Sequence, residues 1–265
     1  MNFYQTIILG LIAGLTIFLG LPVAKIKNFS KTWQAFLNSL STGILVFLLW
    51  DVITQVSESI EASLKTAHAG QPFLLIVLLI VFVLGFGIGL FGLVYFEGQY
   101  LARKVVNILE QQKINSLHLS VMIAVGIGMH NFSEGLAIGQ AAVANVISLA
   151  IVLIIGFGLH NATEGFGIVA PLTALTKKPT WRLLGLLGLI GGGPTFIGTI
   201  IGYKVHSEIT FVLFLSLASG SIFYVISELL HVSRSFKMRE ITMFGIFIGF
   251  FLGYLTDLFL VFIGR

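Results

Sequence analysis

Eight stretches of about twenty mostly apolar residues follow one another along this chain, each long enough to cross a bilayer as a helix. They fall near residues 3–24, 33–53, 72–96, 118–141, 146–171, 183–203, 209–230 and 241–263. Together they use nearly all of the 265 residues, so a single membrane domain over 1–265 is expected, with no soluble domain of any size. Composition agrees: 57% of the residues are hydrophobic and only 10% charged, against roughly 25% charged in an ordinary soluble domain. A water-soluble fold could not hide that much apolar surface. The expected class is an all-α polytopic membrane protein with eight transmembrane helices, its outer faces against lipid.

The net charge of +4 could suggest nucleic acid, but the placement of the basic residues argues against that partner. Lys25, Lys27 and Lys31 follow the first span; Arg103, Lys104 and Lys113 the third; Lys177, Lys178 and Arg182 the fifth; Arg234, Lys237 and Arg239 the seventh. These are twelve of the fifteen Lys and Arg; the other loops and the C-terminus hold only Lys65, Lys204 and Arg265. By the positive-inside rule the loops rich in basic residues are cytoplasmic, which puts both termini outside a cell membrane. No basic n-region precedes the first span, so it is expected to stay rather than be removed as a signal peptide. The absence of cysteine excludes disulfides, thiolate metal sites and iron–sulfur clusters, and makes soft copper(I) a poor cargo.

Membrane transporters are often built from repeats of opposite topology with the substrate site between them. Here LGLIAGLTIFLG from Leu9 aligns with LGLIGGGPTFIG from Leu187, and SLSTGILVFLLWD from Ser39 with SLASGSIFYVISE from Ser216. The offsets are 178 and 177. Each pair joins spans five apart in order, so its members point in opposite directions. The third and eighth spans show no such likeness. The layout expected is 3+2+3: a first three-helix repeat over 1–105, a central pair over 116–172, and an inverted three-helix repeat over 181–265.

The central pair carries GIGMHNFSEG from Gly126 and GFGLHNATEG from Gly156. Glu134 and Glu164 fall deep in their spans, where an acidic side chain costs on the order of 3 kcal/mol on insertion scales. A charge so placed needs a function and a partner. At about 100° per residue, Asn131 and Glu134 lie roughly 100° and 40° from His130, within one third of the helix circumference. His160, Asn161 and Glu164 repeat the arrangement. Gly126 and Ala137, with Gly156 and Gly167, put small side chains on the same faces, where neighbouring helices could approach. Imidazole, carboxylate and amide together suit divalent ions such as Zn²⁺, Fe²⁺, Mn²⁺ or Cd²⁺. Each carboxylate could bridge two ions, so one or two fit.

On these motifs the sequence resembles the ZIP family, the Zrt- and Irt-like divalent metal transporters, in its prokaryotic type. The resemblance extends to span number, outward termini and repeat layout. It implies a central metal site on His130, Asn131, Glu134, His160, Asn161 and Glu164, and zinc uptake into the cytoplasm by an alternating-access, elevator-like shift of one helix group against another. The sequence departs from the family at Ser133 and Thr163, where relatives commonly have proline, and at Gly193, before Pro194, where many have a further ligand Glu. The histidine-rich loop of many relatives is absent, with His118 alone near it. The resemblance implies transport rather than catalysis, with the metal as cargo and no resident cofactor.

Beyond the motifs, the second repeat pair aligns Asp51 with Glu228, near opposite ends of their spans, and His231 lies three residues past Glu228. These could receive and release metal, or be interfacial carboxylates wetted by headgroup water. Asp257 and Glu97 read as interfacial, and His68 and His206 as solvated loop histidines. Two other functions compete: an intramembrane metal-dependent hydrolase, which would ordinarily need a HExxH pair that the chain lacks, and a metal sensor that binds without flux. A homodimer would suit the apolar helices, though no face is singled out.

Overall fold

The computed structural model describes residues 2–26, 30–68, 72–101, 108–143, 161–175, 177–205 and 207–264. All regular structure among them is helical: α1 (Phe3–Leu15), α2 (Lys31–His68), α3 (Phe73–Leu101), α4 (Ile108–Val143), α5 (161–169), α6 (Trp181–Lys204), α7 (Glu208–Ser235) and α8 (Arg239–Gly264). Seven stretches among the described residues are long and apolar enough to cross a membrane. Most of the fifth expected span, residues 146–160 of 146–171, lies outside the described residues.

Two helices run well past the apolar stretches that announce them. α2 continues from residue 53 to His68 and α4 begins at Ile108, ten residues before its expected start. Hydropathy marks only the part inside lipid, whereas backbone hydrogen bonding continues through polar residues such as Gln55, Glu58 and Glu61. The first span departs in the other direction. Its α-helix ends at Leu15 and passes into 3₁₀ turns at Thr16–Leu19 and Leu21–Lys25. The Thr16 hydroxyl donates to the Ala13 carbonyl at 2.6 Å, and Pro22 has no N–H to continue an α-helix. At the position of α6 that aligns with Thr16 stands Pro194, inside the helix.

The helices pack as two groups. α1, α4 and α6 hold one another, α2, α3, α7 and α8 hold one another, and α4 against α7 makes the broadest junction between the groups. Within each group glycines bring backbones together. A Cβ built on Gly135 or Gly139 of α4 would strike the Thr195 or Thr199 carbonyl of α6, and one on Gly14 would strike the Gly192 carbonyl. Across the junction the spacing is looser. A Cβ on Gly126 would sit 3.5 Å from that of Ser221, and one on Gly167 4.0 Å from that of Ser41, both ordinary van der Waals distances. The expected close approach on the motif face is therefore corrected. Gly128, Gly135 and Gly139 fall about 140–180° round the helix from His130, and it is this far side of α4 that seats tightly on α6.

These contacts recur at shifted numbers. Gly198 meets the Phe132 carbonyl as Gly20 meets the Ala162 carbonyl, and Gly135 meets that of Thr195 as Gly165 meets that of Ile17. Gly220 of α7 meets the Phe86 carbonyl of α3, as Gly43 of α2 meets the Ile246 carbonyl of α8. Gly85 packs on Ser216 as Gly245 packs on Ser39, and Gly89 on Leu217 as Gly249 on Leu40. The offsets are 178 for α1/α6, 177 for α2/α7 and 160 for α3/α8. Hydroxyls follow the same rule: Ser39 and Thr42 donate to the carbonyls of Ala35 and Asn38, and Ser216 and Ser219 to those of Val212 and Leu215. Each polar group is thus satisfied within its own helix, as an apolar surrounding requires.

Candidate metal centre

Helix α4 presents His130 and Glu134 one turn apart, with His130 Nε2 3.2 Å from Glu134 Oε1. Both are buried, as are Asn131, Asn161 and Glu164, the last with no exposed surface at all. Glu164, on α5, lies within electrostatic reach of His130, Glu134 and the Asn131 amide. Five of the six motif residues are therefore gathered inside the protein where the two helices meet. The sixth, His160, lies outside the described residues. Among the described residues no three His, Asp or Glu side chains converge as a ready-made metal cluster.

The two asparagines have a role the sequence did not announce. Asn131 Nδ2 donates to the Gly191 carbonyl of α6 at 3.0 Å, and Asn161 Nδ2 donates to the Ala13 carbonyl of α1, also at 3.0 Å. Gly191 and Ala13 are 178 apart, the offset of the α1/α6 alignment. The Ala13 carbonyl, at the end of the α-helix of α1, accepts the Thr16 hydroxyl as well as the Asn161 amide. Each amide is thus pinned by its nitrogen. Its oxygen, Oδ1 of Asn131 or Asn161, has no hydrogen-bond partner among the described residues, and neither has Glu134 Oε2. Buried acceptors left so are costly, and a divalent cation is the kind of species that would satisfy them. No signal in the sequence marks these anchors, because the acceptors are backbone carbonyls. Ser133 donates back to the Met129 carbonyl at 3.5 Å, a long bond that leaves α4 continuous.

Asn131→Ala and Asn161→Ala each remove one buried anchor, and each is expected to lower stability by about 1–2 kcal/mol. The two losses should be of similar size, because each amide donates one 3.0 Å bond to a carbonyl of a neighbouring helix. Thermal unfolding in detergent checks this; a large loss at one position and none at the other would contradict the equivalence.

The remaining expected residues separate into two places. Asp51 of α2 accepts from Gln55 Nε2 at 2.8 Å and lies within electrostatic reach of His130, Glu134 and Asp257, so it adjoins the centre from the other helix group. Glu228 of α7 instead lies near His118 of α4, with His231 exposed one turn further on. His206 lies outside the described residues, as do the side chains of His68 and Glu97. At the basic end of the bundle Lys25 stacks over Trp181 at 4.9 Å, and Lys178 Nζ donates to the Thr173 carbonyl at 3.1 Å. Partial burial there pushes the Lys178 ammonium below its usual lysine range.

Long apolar helices enclosing buried carboxylates and an imidazole define a polytopic membrane protein with an ionisable centre among its spans. Residues 102–257, more than half of the chain, match the family model described as ZIP Zinc transporter. The chain belongs to the ZIP zinc transporter family, whose members carry divalent metal ions across membranes. Comparison with curated protein sequences gives no match.

Proposed function

We propose that this protein takes Zn²⁺ into the cytoplasm through a mid-membrane centre on His130, Asn131, Glu134, His160, Asn161 and Glu164. The observation that carries the reading is the burial of Glu134 and Glu164 together with His130, between helices. Amides fixed by their nitrogens, whose buried oxygens have no hydrogen-bond partner among the described residues, add to it. A borderline set of imidazole, carboxylate and amide favours Zn²⁺ or Cd²⁺ over the harder Mn²⁺.

The helices form a 3+2+3 inverted repeat in one membrane domain, with both termini outside the cell membrane. Contact pairs recurring at offsets of 178, 177 and 160 support that layout, and the alternation of basic loops supports the orientation. Alternating access then moves the group of α1, α4, α5 and α6 against that of α2, α3, α7 and α8. Ordinary van der Waals spacing at Gly126/Ser221 and Gly167/Ser41 supports a boundary able to slide, beside groups locked by backbone contact. Large apolar residues exposed along α3 and α8, such as Val83, Phe91, Phe247 and Leu255, fit a lipid-facing surface. Asp51 serves as the outer approach to the centre.

Flux into sealed proteoliposomes, read by an internal zinc indicator, tests the reading. Zn²⁺ should enter, with Cd²⁺ competing more strongly than Mn²⁺ at equal concentration. Saturable zinc binding without any entry would make the protein a sensor instead.

A further inference from the structure

The α1/α6 pair carries the same contact at each of its two ends. Lys25, closing the second 3₁₀ turn after α1, holds its ammonium 4.9 Å over the Trp181 ring at the start of α6. Lys204, closing α6, holds its ammonium 5.4 Å over the Phe3 ring at the start of α1. Phe3 and Trp181 are 178 apart in number and Lys25 and Lys204 are 179 apart, so the two clamps are counterparts in the α1/α6 alignment. α6 has 24 residues, about 36 Å at 1.5 Å per residue, which exceeds the hydrocarbon core of ~30 Å but not the bilayer with its headgroups. Each clamp therefore lies at headgroup level. Their surroundings differ in charge. Around Trp181 stand exposed Lys177 and Arg182 and half-buried Lys178, whose ammonium donates to the Thr173 carbonyl. The turn ending at Lys25 packs against both α6 and the 3₁₀ turn Ala170–Ala174, which brings these cations to one place. No Asp or Glu precedes Asp51 in the chain or lies between Glu164 and Glu208, whereas Glu110 and Glu240 stand among the basic residues that follow the third and seventh spans. The outer clamp is the reverse: no other Lys or Arg lies between Arg182 and Arg234, and exposed Glu208 follows Lys204 by four residues. From Trp181 an exposed stripe climbs α6 at four-residue steps through Gly185, Leu189, Gly193 and Ile197. A Cβ on Gly185 or Gly193 would meet nothing within 4 Å among the described residues, so the stripe has notches between its large side chains.

We propose that the basic-end clamp seats an anionic phospholipid, its phosphate held by Lys25, Lys178 and Arg182 and an acyl chain lying over the notch at Gly185. Clustered cations at a membrane surface attract anionic headgroups, and here no carboxylate in the same stretches of chain offsets them. Lys178 spends one of its three N–H donors on Thr173 and keeps two. Arg182 offers the paired donors that fit phosphate oxygens. Trp181 suits the interface, with an apolar ring against the chain and its N–H toward the headgroup. The apolar stripe continuing from the clamp favours a lipid over free phosphate, which has nothing to lay along it. The seat is independent of what the centre carries. It attaches the lipid to the group of α1, α4, α5 and α6 alone, so leaflet charge acts on one helix group and not on the other.

The chain has three tryptophans, so Trp33→Phe/Trp50→Phe leaves Trp181 as a fluorescent reporter at the seat. In full-length protein reconstituted into phosphatidylcholine vesicles, phosphatidylglycerol brominated near the head of its chains should quench Trp181 with an apparent affinity about thirtyfold that of phosphatidylcholine brominated in the same way, the scale of two basic side chains at about fivefold each. Arg182→Gln and Lys178→Gln should each lower that preference about fivefold, and Lys204→Gln, at the outer clamp, should leave it unchanged. Equal quenching by the two lipids, or an undiminished preference in Lys178→Gln/Arg182→Gln, would overturn the seat. Inorganic phosphate at an ionic strength matched with chloride should leave the preference intact; if it abolished it, the cluster would be a site for free phosphate and the lipid assignment would fall. The parent chain in detergent gives a second measurement that needs no tryptophan substitution. Added phosphatidylglycerol should raise its unfolding temperature more than phosphatidylcholine does, and Arg182→Gln should narrow the difference; equal rises in the parent would contradict the proposal.

Discussion

Glu134→Ala and Glu164→Ala should each reduce zinc flux at least about a hundredfold, the upper end of what even an outer partner is worth to a metal site, while leaving the folded protein as stable as the parent or more so. The two halves of that expectation come from one fact. Glu164 has no exposed surface and Glu134 6%, in a region where a carboxylate is expensive by about 3 kcal/mol or more. Removing it relieves a cost of folding and removes a ligand together. A structural acid would behave in the opposite way, losing stability first and activity as a consequence. Flux in proteoliposomes, read beside thermal unfolding of the same preparations, separates the cases. Glu164→Ala with parental flux would sink the assignment of the centre.

The second large effect concerns the glycines that set the frame. Gly198→Val and Gly20→Val should each cost on the order of 3 kcal/mol or more, beyond most overpacking substitutions. The added atoms meet backbone that cannot rotate away: the Phe132 carbonyl at Gly198, and the Ala162 carbonyl with the Phe166 amide at Gly20. Among the described residues Gly87 and Gly193 have nothing within 4 Å of a built Cβ, so Gly87→Val and Gly193→Val should fall within about 1 kcal/mol of the parent, the span of ordinary helix propensities. Unfolding temperatures of the four variants in one detergent provide the check. Gly198→Val and Gly20→Val should move together because they occupy equivalent places; a variant at Gly198 as stable as one at Gly87 would contradict the packing described.

Much of this frame was legible in the sequence, and the parts that were not have physical reasons. The long apolar stretches announced the spans because lipid selects for hydropathy over a fixed length. They could not announce the polar extension of α2 to His68, since a helix outside lipid needs no apolar run. The likeness of α1 to α6 and of α2 to α7 was visible because glycine, serine and threonine recur there at matching places. That of α3 to α8 was not. Its carriers are two glycines per helix, Gly85 and Gly89 against Gly245 and Gly249, set among interchangeable Phe, Leu and Ile. Gly87 and Gly92 add to the confusion, as a Cβ on either would meet nothing within 4 Å among the described residues. Only the contacts distinguish them.

What helical spacing could say of the centre stops short of what each residue does. Helical spacing put His130, Asn131 and Glu134 on one side of α4, and Glu164 does join them from α5. Spacing alone could not reveal that each asparagine spends its nitrogen on a neighbouring helix, since the acceptors, Gly191 and Ala13, are backbone carbonyls with no signature of their own. Nor could it say that the tight face of α4 is the one turned from the histidine. His118 looked isolated because its partner, Glu228, is 110 residues away and is brought close only by the antiparallel register of α4 and α7.

Anomalous diffraction at the zinc edge, from the purified protein crystallised with Zn²⁺, tests the central claim most directly. The account predicts a metal peak between α4 and α5, within about 2.0–2.2 Å of an imidazole nitrogen of His130 and of carboxylate oxygens of Glu134 and Glu164, the ordinary zinc ligand distances. Zinc bound elsewhere along the helices, with His130, Glu134 and Glu164 all free of it, would contradict the account.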